Sequence, residues 1–160
     1  MPSLGRLRYI ETAAQGAGRP RGTLVLIHSF PMNARMWDEQ QSLAARGWRV
    51  IAPHLRGMDS GGEADPEAAS MDDYAGDVID LLDGLRIEDA VIGGLSMGGY
   101  VTMALFRHAP RYFRGMILAD TRAEADSPEA VEGRKKTMAL LREKGAVSYT
   151  HLTLPTNREV

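Results

Sequence analysis

The sequence predicts an α/β fold in which a doubly wound, mostly parallel β-sheet is covered by helices. Two observations carry that prediction. Short apolar runs such as residues 23–27 lack the polar alternation of a half-exposed strand and are typical of strands buried on both faces of a parallel sheet. These runs alternate along the chain with segments of helical periodicity, which is the pattern of successive strand, helix and strand units.

The first half of the chain provides one such unit. Residues 7–10 read as a short first strand, and residues 23–27 form the first fully apolar one. Residues 36–46 are predicted to form a helix that ends at Gly47, because glycine tolerates the left-handed backbone that closes a helix. Residues 48–52 are the next apolar strand.

The second half continues the alternation. Polar residues 56–69 predict a loop, and the apolar side chains of residues 71–85 recur at helical spacing behind two acidic residues that suit a helix N-terminus. Two further units follow, and Ser127 has the character of an N-cap. The remaining predicted elements are strand 90–93, helix 99–108, a break at Pro110, strand 116–119 and helix 129–144.

Composition excludes several classes of function. The chain has 160 residues, 44% hydrophobic and 25% charged, which is enough for one domain with a sizeable core. Its net charge of -2 provides no basic face for nucleic acid or for a membrane surface. It has no cysteine, so disulfides, thiolate nucleophiles and cysteine metal sites are excluded.

Localisation and ligands follow from the same composition. The first eight residues lack the apolar core of a signal peptide, and no apolar run reaches the ~18 residues needed to span a bilayer. We therefore expect a cytoplasmic protein that needs no cofactor or metal and whose partner is a small molecule. The oligomeric state is not predicted by these features.

Ser96 lies in the motif Gly94-Leu95-Ser96-Met97-Gly98, between an apolar strand and a helix. Glycines at both ends of such a corner let a strained turn pass close to its neighbours and hold the hydroxyl above the sheet. The following helix N-terminus adds positive potential. Ser96 is therefore a candidate nucleophile.

Two other segments end at the same predicted sheet edge. Residues 28–31 follow one buried strand, and residues 53–57 follow the next. Ligands of doubly wound sheets gather at the carboxyl ends of the strands, so these segments are expected to surround Ser96.

With these motifs in this order, the sequence resembles the α/β-hydrolase family, from about residue 6 to residue 146. The stretch 118–126 resembles small esterases close to enol-lactonases and cofactor-free haloperoxidases. The resemblance implies that Ser96 attacks an acyl carbonyl and that the amides of Phe30 and Met97 form the oxyanion hole. It also implies a hydrolase of a small ester or lactone that acts through an acyl-enzyme intermediate, with carbon-carbon bond hydrolysis and perhydrolysis as open alternatives.

Residues near the predicted oxyanion hole are interpreted as structural. His28 and Arg56 are expected to anchor loops by hydrogen bonds rather than to bind substrate, and His54 is interpreted as a solvent or loop residue. The family usually has glycine where this chain has Ser29. Its side chain can narrow the loop or add a hydroxyl donor.

The catalytic base and acid are harder to place. In this family the nucleophile precedes the acid, and the acid precedes the histidine. His108 lies about 12 residues, or ~18 Å, along the helix that starts at Ser96 and cannot reach the hydroxyl. Asp120 is a candidate acid, and its alternative role is to cap the loop that follows. His151 is the remaining histidine.

The C-terminal residues break the helical pattern. Residues 147–160 resemble a translated sequencing-adapter tail, so the predicted organisation is a partial hydrolase domain over 1–146, with the start of a lid at about 127–146, and a non-native tail. On this reading the full-length parent is the hydrolase, and this chain lacks the catalytic histidine. The alternatives are an inactive fragment and a non-catalytic binding protein of the same fold.

Overall fold

The computed structural model describes residues 2–4, 7–58 and 69–144, without the side chains of residues 141, 142 and 144. The chain divides into two compact units, Met1–Ala123 and Glu124–Val160. The predicted tail over 147–160, with His151, lies outside the described residues.

The described part of the first unit is built on a six-stranded sheet with the strand order β1-β2-β4-β3-β5-β6. Strands β3, β4, β5 and β6 all run parallel to one another, whereas β2 is antiparallel to both of its neighbours, β1 and β4. The mostly parallel, doubly wound sheet is thus confirmed. The strands are β1 (Ser3–Leu4), β2 (Leu7–Thr12), β3 (Gly22–Ile27), β4 (Trp48–Pro53), β5 (Ala90–Leu95) and β6 (Phe113–Ala119).

Three α-helices are described, and the two in the first unit pack on one face of the sheet. They are α1 (Met71–Gly84) and α2 (Met97–His108), and the second unit contains α3 (Pro128–Lys144). Ser70 and Asp73 form a reciprocal capping box at the start of α1. Ser127 accepts a hydrogen bond from the amide of Ala130, which confirms it as the N-cap of α3.

The segment predicted as an α-helix over 36–46 is instead a pair of short 3₁₀ helices, Ala34–Trp37 and Glu39–Arg46. Asp38 joins them, and its amide bonds the carbonyl three residues back, at Arg35. The spacing of apolar side chains does not distinguish a 3₁₀ helix, with its hydrogen bonds between residues three apart, from an α-helix. The end at Gly47 is confirmed, with a left-handed φ of 84°.

Alternate side chains of β3 face opposite layers. Val25 and Ile27 join the large cluster under α1 and α2, whereas Leu24 and Leu26 join a smaller one on the other face. All four are buried, as the apolar run predicts. Within the described ranges, no helix has the length and hydropathy needed to cross a bilayer.

The sheet reverses its winding between β3 and β5. The chain leaves β3 toward β4 on one side, and it leaves β5 through α2 toward β6 on the other. Loops that diverge in this way open a crevice at the carboxyl ends of the two strands. Residues 28–32 and Ser96 stand at the two sides of that crevice.

Candidate active site

Ser96 occupies a strained corner between β5 and α2. Its backbone has φ 52° and ψ -113°, outside the regions that L-residues ordinarily adopt. Such a conformation costs about 1–3 kcal/mol and persists only where the surrounding structure enforces it.

Two glycines permit the corner. A Cβ at Gly94 would lie 2.0 Å from the carbonyl oxygen of Gly98, and a Cβ at Gly98 would lie 2.2 Å from the carbonyl oxygen of Ile27. Neither space admits a side chain, because both obstructing atoms belong to the backbone. The glycines of the motif therefore allow α2 to pack directly onto the end of β3.

The backbone of Ser96 is fixed from three directions. Its amide donates to the carbonyl of Ala119 at 3.0 Å. Its carbonyl accepts from the amide of Gly99 at 2.9 Å and from the Thr121 hydroxyl at 2.9 Å. The sequence did not single out Thr121, because a hydroxyl 25 residues away carries no local signal of this contact.

The N-terminus of α2 creates positive potential next to Ser96. The first turn contains no acidic side chain, and the Ser96 side chain makes no capping hydrogen bond to it. The first amides of a helix lack intrahelical acceptors, so they are available to an anion. The amide of Met97 is the first of them.

His28 links the loop after β3 to the loop after β4. The ring is fully buried, and its Nε2 accepts a hydrogen bond of 3.0 Å from the amide of Leu55. Its Nδ1 lies 2.9 Å from the carbonyl of Ser29 and donates to it. Both contacts require the neutral ring with its proton on Nδ1. Both ring nitrogens of His28 are therefore occupied by hydrogen bonds to the backbone of the two loops.

The environment of His28 favours the neutral form. Burial is the main cause that lowers its pKa below the ordinary 6.5, and the nearby His54 lowers it further. The hydrogen bond to the Ser29 carbonyl acts in the opposite direction. A protonated ring would place an N–H against the Leu55 amide, which agrees with the lowered pKa.

Ser29 directs its polar groups at a sulfur atom. Its amide lies 3.3 Å and its hydroxyl 3.7 Å from Sδ of Met36, and the residue is buried. The hydroxyl therefore lies toward the 3₁₀ segment. The next residue, Phe30, is exposed and precedes a cis peptide bond to Pro31.

Arg56 fastens the loop after β4 to α1. Its guanidinium forms a two-pronged ion pair with Asp77 and a longer contact of 3.5 Å with the carbonyl of Asp73. The hydrogen bond that Arg56 donates to Asp77 is the main cause that raises the pKa of Arg56. Asp77 is buried, and this is the geometry expected of a loop anchor. Asp77 has no signal of this role in the sequence, because it lies within the helical pattern of α1.

A match to a protein-family model identifies the family of this chain. Residues 22–144 match the family model of the alpha/beta hydrolase fold. The chain belongs to the α/β-hydrolase family.

Relatives of this α/β-hydrolase chain include ester-cleaving and lactone-cleaving enzymes. It is 34% identical over 126 residues to 3-oxoadipate enol-lactonase 2 of Acinetobacter baylyi, covering 78% of this chain and 45% of the relative. An esterase from Thermogutta terrifontis superposes with a TM-score of 0.83 at 35% identity, covering 93% and 53% of the two chains. The enol-lactonase from Burkholderia xenovorans LB400 superposes with a TM-score of 0.77 at 28% sequence identity, and the match covers 93% of this chain and 55% of that protein. The chain thus spans about half the length of these proteins.

The described histidines of this α/β-hydrolase chain have structural contacts. His108 lies at the C-terminal end of α2, exposed, with Nε2 3.0 Å from a carboxylate oxygen of Asp72. The hydrogen bond from His108 is the main cause that lowers the pKa of Asp72. Of the two alternatives for His54, a solvent or a loop residue, the second is confirmed and the first is wrong, because the residue is buried in the loop after β4. It follows β4, and its amide donates to the carbonyl of Arg8 at 2.8 Å.

Asp120 follows β6 directly and is exposed. Its φ of 43° is left-handed, a conformation that Asp tolerates better than most residues. It lies between Ala119 and Thr121, which are two of the three residues that hydrogen-bond to the backbone of Ser96. The position is near the corner, and the catalytic role of the carboxylate stays a prediction.

The described ranges contain no group of three or more His, Asp or Glu side chains arranged to hold a metal ion. At this corner the described residues bring together the Ser96 hydroxyl and the N-terminus of α2.

Proposed function

We propose that the whole protein is a serine hydrolase that cleaves a small ester or lactone, with Ser96 as its nucleophile. The observation that carries the proposal is the strained backbone of Ser96, held by three hydrogen bonds at the N-terminus of α2. Strain of this kind is retained where function requires it. The relatives described above include an esterase and enol-lactonases, which supports this choice of substrate class.

The proposed oxyanion hole consists of the amides of Met97 and Phe30. Gly98 brings the first turn of α2 against the end of β3, since a Cβ there would lie 2.8 Å from the carbonyl oxygen of His28. The loop that carries Phe30 is fastened by His28 and Met36. Donors fixed before reaction stabilise the developing charge without reorganisation, and losing one costs ~10²-fold or more in rate.

In the proposed reaction, Oγ of Ser96 bonds to the carbonyl carbon while a general base takes the hydroxyl proton. The tetrahedral intermediate expels the alkoxide, which receives that proton; in a lactone the alcohol stays attached to the acyl group. Water then attacks the acyl-enzyme and gives a proton to the base. The second tetrahedral intermediate expels Oγ of Ser96, which receives that proton from the base, and the carboxylic acid is released.

Turnover of a chromogenic short-chain ester tests the proposal. The full-length protein should hydrolyse the ester, and Ser96→Ala should lower kcat by ~10³-fold or more. Ser42→Ala is the matched control, since Ser42 is exposed and its hydroxyl donates to the carbonyl of Glu39 within the same 3₁₀ segment. A fluorophosphonate probe should label Ser96 in the full-length protein. Equal rates for the native protein and Ser96→Ala would overturn the assignment.

A second candidate applies to the 160-residue chain alone, which we propose is non-catalytic. It is favoured by the positions of the described histidines: both ring nitrogens of His28 are used, and His108 contacts Asp72 at the far end of α2. The chain alone should hydrolyse the ester no faster than its Ser96→Ala variant. Turnover by the chain that disappears in that variant would contradict this candidate.

A further inference from the structure

The end of β6 holds both backbone groups of Ser96. The Ser96 amide donates to the carbonyl of Ala119 at 3.0 Å, and the Ser96 carbonyl accepts from the Thr121 hydroxyl at 2.9 Å. Asp120, between the two partners, has a left-handed φ of 43°, so the chain leaves the strand direction there. The loop after β6 therefore fixes the Ser96 backbone on its amide side and on its carbonyl side.

Thr121 lies in a notch that Gly99 leaves open. A Cβ at Gly99 would lie 2.5 Å from Cγ2 and 2.6 Å from Oγ1 of Thr121, so a larger residue there would displace the threonine. The Gly99 amide donates to the same Ser96 carbonyl at 2.9 Å. Both lone pairs of that carbonyl oxygen thus accept hydrogen bonds, one from α2 and one from Thr121.

The Ser96 carbonyl and the Met97 amide belong to one peptide group. A trans peptide is planar, and its C=O and N–H point in opposite directions. Holding the carbonyl toward Thr121 and Gly99 therefore aims the Met97 N–H away from both. That N–H is the oxyanion donor proposed above, and as the first amide of α2 it has no acceptor within the helix.

The same contacts strengthen the Met97 amide as a donor. Hydrogen bonds accepted by a carbonyl polarise the peptide group to which it belongs, by about 10–30% per bond. The bond from Gly99 is made by the backbone and is present in every variant. The bond from Thr121 is made by a side chain and can be removed alone.

We propose that Thr121 is a positioning residue that orients and polarises the Met97 amide for the oxyanion, acting through the Ser96 carbonyl. The inference rests on the proposed function, since it takes Ser96 as the nucleophile and the Met97 amide as an oxyanion donor. The contribution grows as negative charge develops on the substrate oxygen. Thr121 should therefore lower the barrier of the chemical step without strengthening the binding of substrate.

Kinetics of the full-length protein with a chromogenic short-chain ester test the proposal. Thr121→Val keeps the shape and removes the hydroxyl; it should lower kcat about tenfold and change KM less than about twofold. The loss is smaller than the ~10²-fold expected for removing a donor, because Met97 keeps its N–H. Thr121→Ser keeps the hydroxyl and should recover kcat to within about threefold of the native value.

Thr12→Val is the matched control. Thr12 is half-buried like Thr121, and its hydroxyl donates at 2.7 Å to the side-chain oxygen of Gln41. It pairs with Val50 near the start of β4, whereas the candidate site lies at the carboxyl ends of the parallel strands. This variant should leave kcat unchanged.

Inhibitor binding provides a readout that loss of stability alone would not give. An alkyl boronic acid reacts with Ser96: Oγ bonds to boron, the general base takes the hydroxyl proton, and the tetrahedral adduct is an anion like the intermediate. Thr121→Val should weaken this inhibitor about tenfold. An ether analogue of the ester has no carbonyl oxygen, and it should inhibit the native protein and the variant equally.

The outcomes distinguish this inference from the proposed function. Equal activity of the native protein and Ser96→Ala would overturn both. Where turnover depends on Ser96, native kcat in Thr121→Val, a loss in KM alone, an equal loss in Thr12→Val, or no recovery in Thr121→Ser would overturn this inference alone. Far-UV circular dichroism checks folding. Thr121→Ala, which is less crowded beside the carbonyl, has the same expected loss and replaces Thr121→Val if that variant does not fold.

Discussion

At the scale of single residues, His28 shows how a polar side chain in a core can be wholly structural. Its two ring nitrogens satisfy a carbonyl and an amide on different loops, and the ring has no exposure to solvent. A buried hydrogen bond of this kind contributes modestly when made and costs about 1–3 kcal/mol for each group left without a partner.

Replacing His28 by alanine should lower the free energy of unfolding by about 2–4 kcal/mol, because the Leu55 amide loses its acceptor and a cavity is left. Urea titration of the two proteins measures the difference. His108→Ala, at an exposed helix end, should change the free energy of unfolding little. A His28 variant as stable as the native chain would contradict the anchoring role.

The stabilisation by His28 should also depend on pH. Since burial lowers its pKa in the folded state below 6.5, the unfolded chain binds the proton more readily. The contribution is complete above pH 6.5 and is lost as the pH falls below 6.5 and through the folded-state pKa. The difference in unfolding free energy between the native chain and His28→Ala should therefore shrink from pH 7.5 toward pH 5. A difference independent of pH would contradict the neutral, Nδ1-protonated ring.

The sequence predicted the anchoring residues at this scale but not their partners. Arg56 and His28 were interpreted as loop anchors because they follow buried strands. Asp77 and Thr121 were not identified, since each meets its partner across more than 20 residues of chain. Such contacts depend on how the strands are ordered in the sheet, which side-chain periodicity does not determine.

At the scale of elements, the position of α2 depends on Gly98. The helix approaches β3 so closely that an added methyl group would lie 2.2 Å from a backbone oxygen that cannot move without breaking the strand. This packing also sets Ser96 above the sheet edge.

Gly98→Ala should therefore destabilise the fold by about 3 kcal/mol or more, measured by thermal or urea unfolding. Gly76→Ala is the matched control, because Gly76 lies inside α1 with nothing within 4 Å of the added methyl group. That control should stabilise by up to about 1 kcal/mol. Similar effects of the two substitutions would show that the close approach of α2 is not required.

The contact between Arg56 and Asp77 joins a loop to a helix and should matter more than surface ion pairs. Asp77→Ala leaves the guanidinium without its charged partner beside a buried position and should cost about 2–3 kcal/mol in unfolding free energy. Arg35→Ala removes an exposed pair whose charged atoms are 3.9 Å apart and should have little effect. Equal losses in the two variants would contradict the anchoring of this loop.

The strands β3 and β4 and the helices α1 and α3 agree with their predicted bounds to within one residue at each end, whereas β1 was not predicted and the segment after β3 has a different helix type. Runs such as 23–27 are unambiguous because burial on both faces demands continuous apolar character. The 3₁₀ helices at 34–37 and 39–46 present the same periodic apolar face as an α-helix, so the pattern identified a helix but not its type.

At the scale of the whole molecule, the winding of the sheet explains where the candidate site lies. The reversal between β3 and β5 separates two loops and opens a crevice at their ends. One loop contributes Phe30 and the other Ser96. The alternation of strands and helices predicted this edge, although strand order was left undetermined by the sequence.

The core of the described structure lies entirely in the first compact unit. Its buried hydrophobic residues run from Leu7 to Tyr112, and α3 of the second unit has no buried side chain among those described. Since burial of apolar surface is the main source of stability, the first unit should contain nearly all of it.

A chain ending at Ala123 should thus unfold cooperatively, with a free energy within about 1 kcal/mol of that of the full 160 residues. Urea titration followed by tryptophan fluorescence measures this, since Trp37 and Trp48 both lie in the first unit and contact its smaller core cluster. Trp48→Phe keeps an aromatic ring there and controls for the reporter. A shortened chain that loses its cooperative transition would show that residues beyond Ala123 contribute to the core, contrary to the burial pattern.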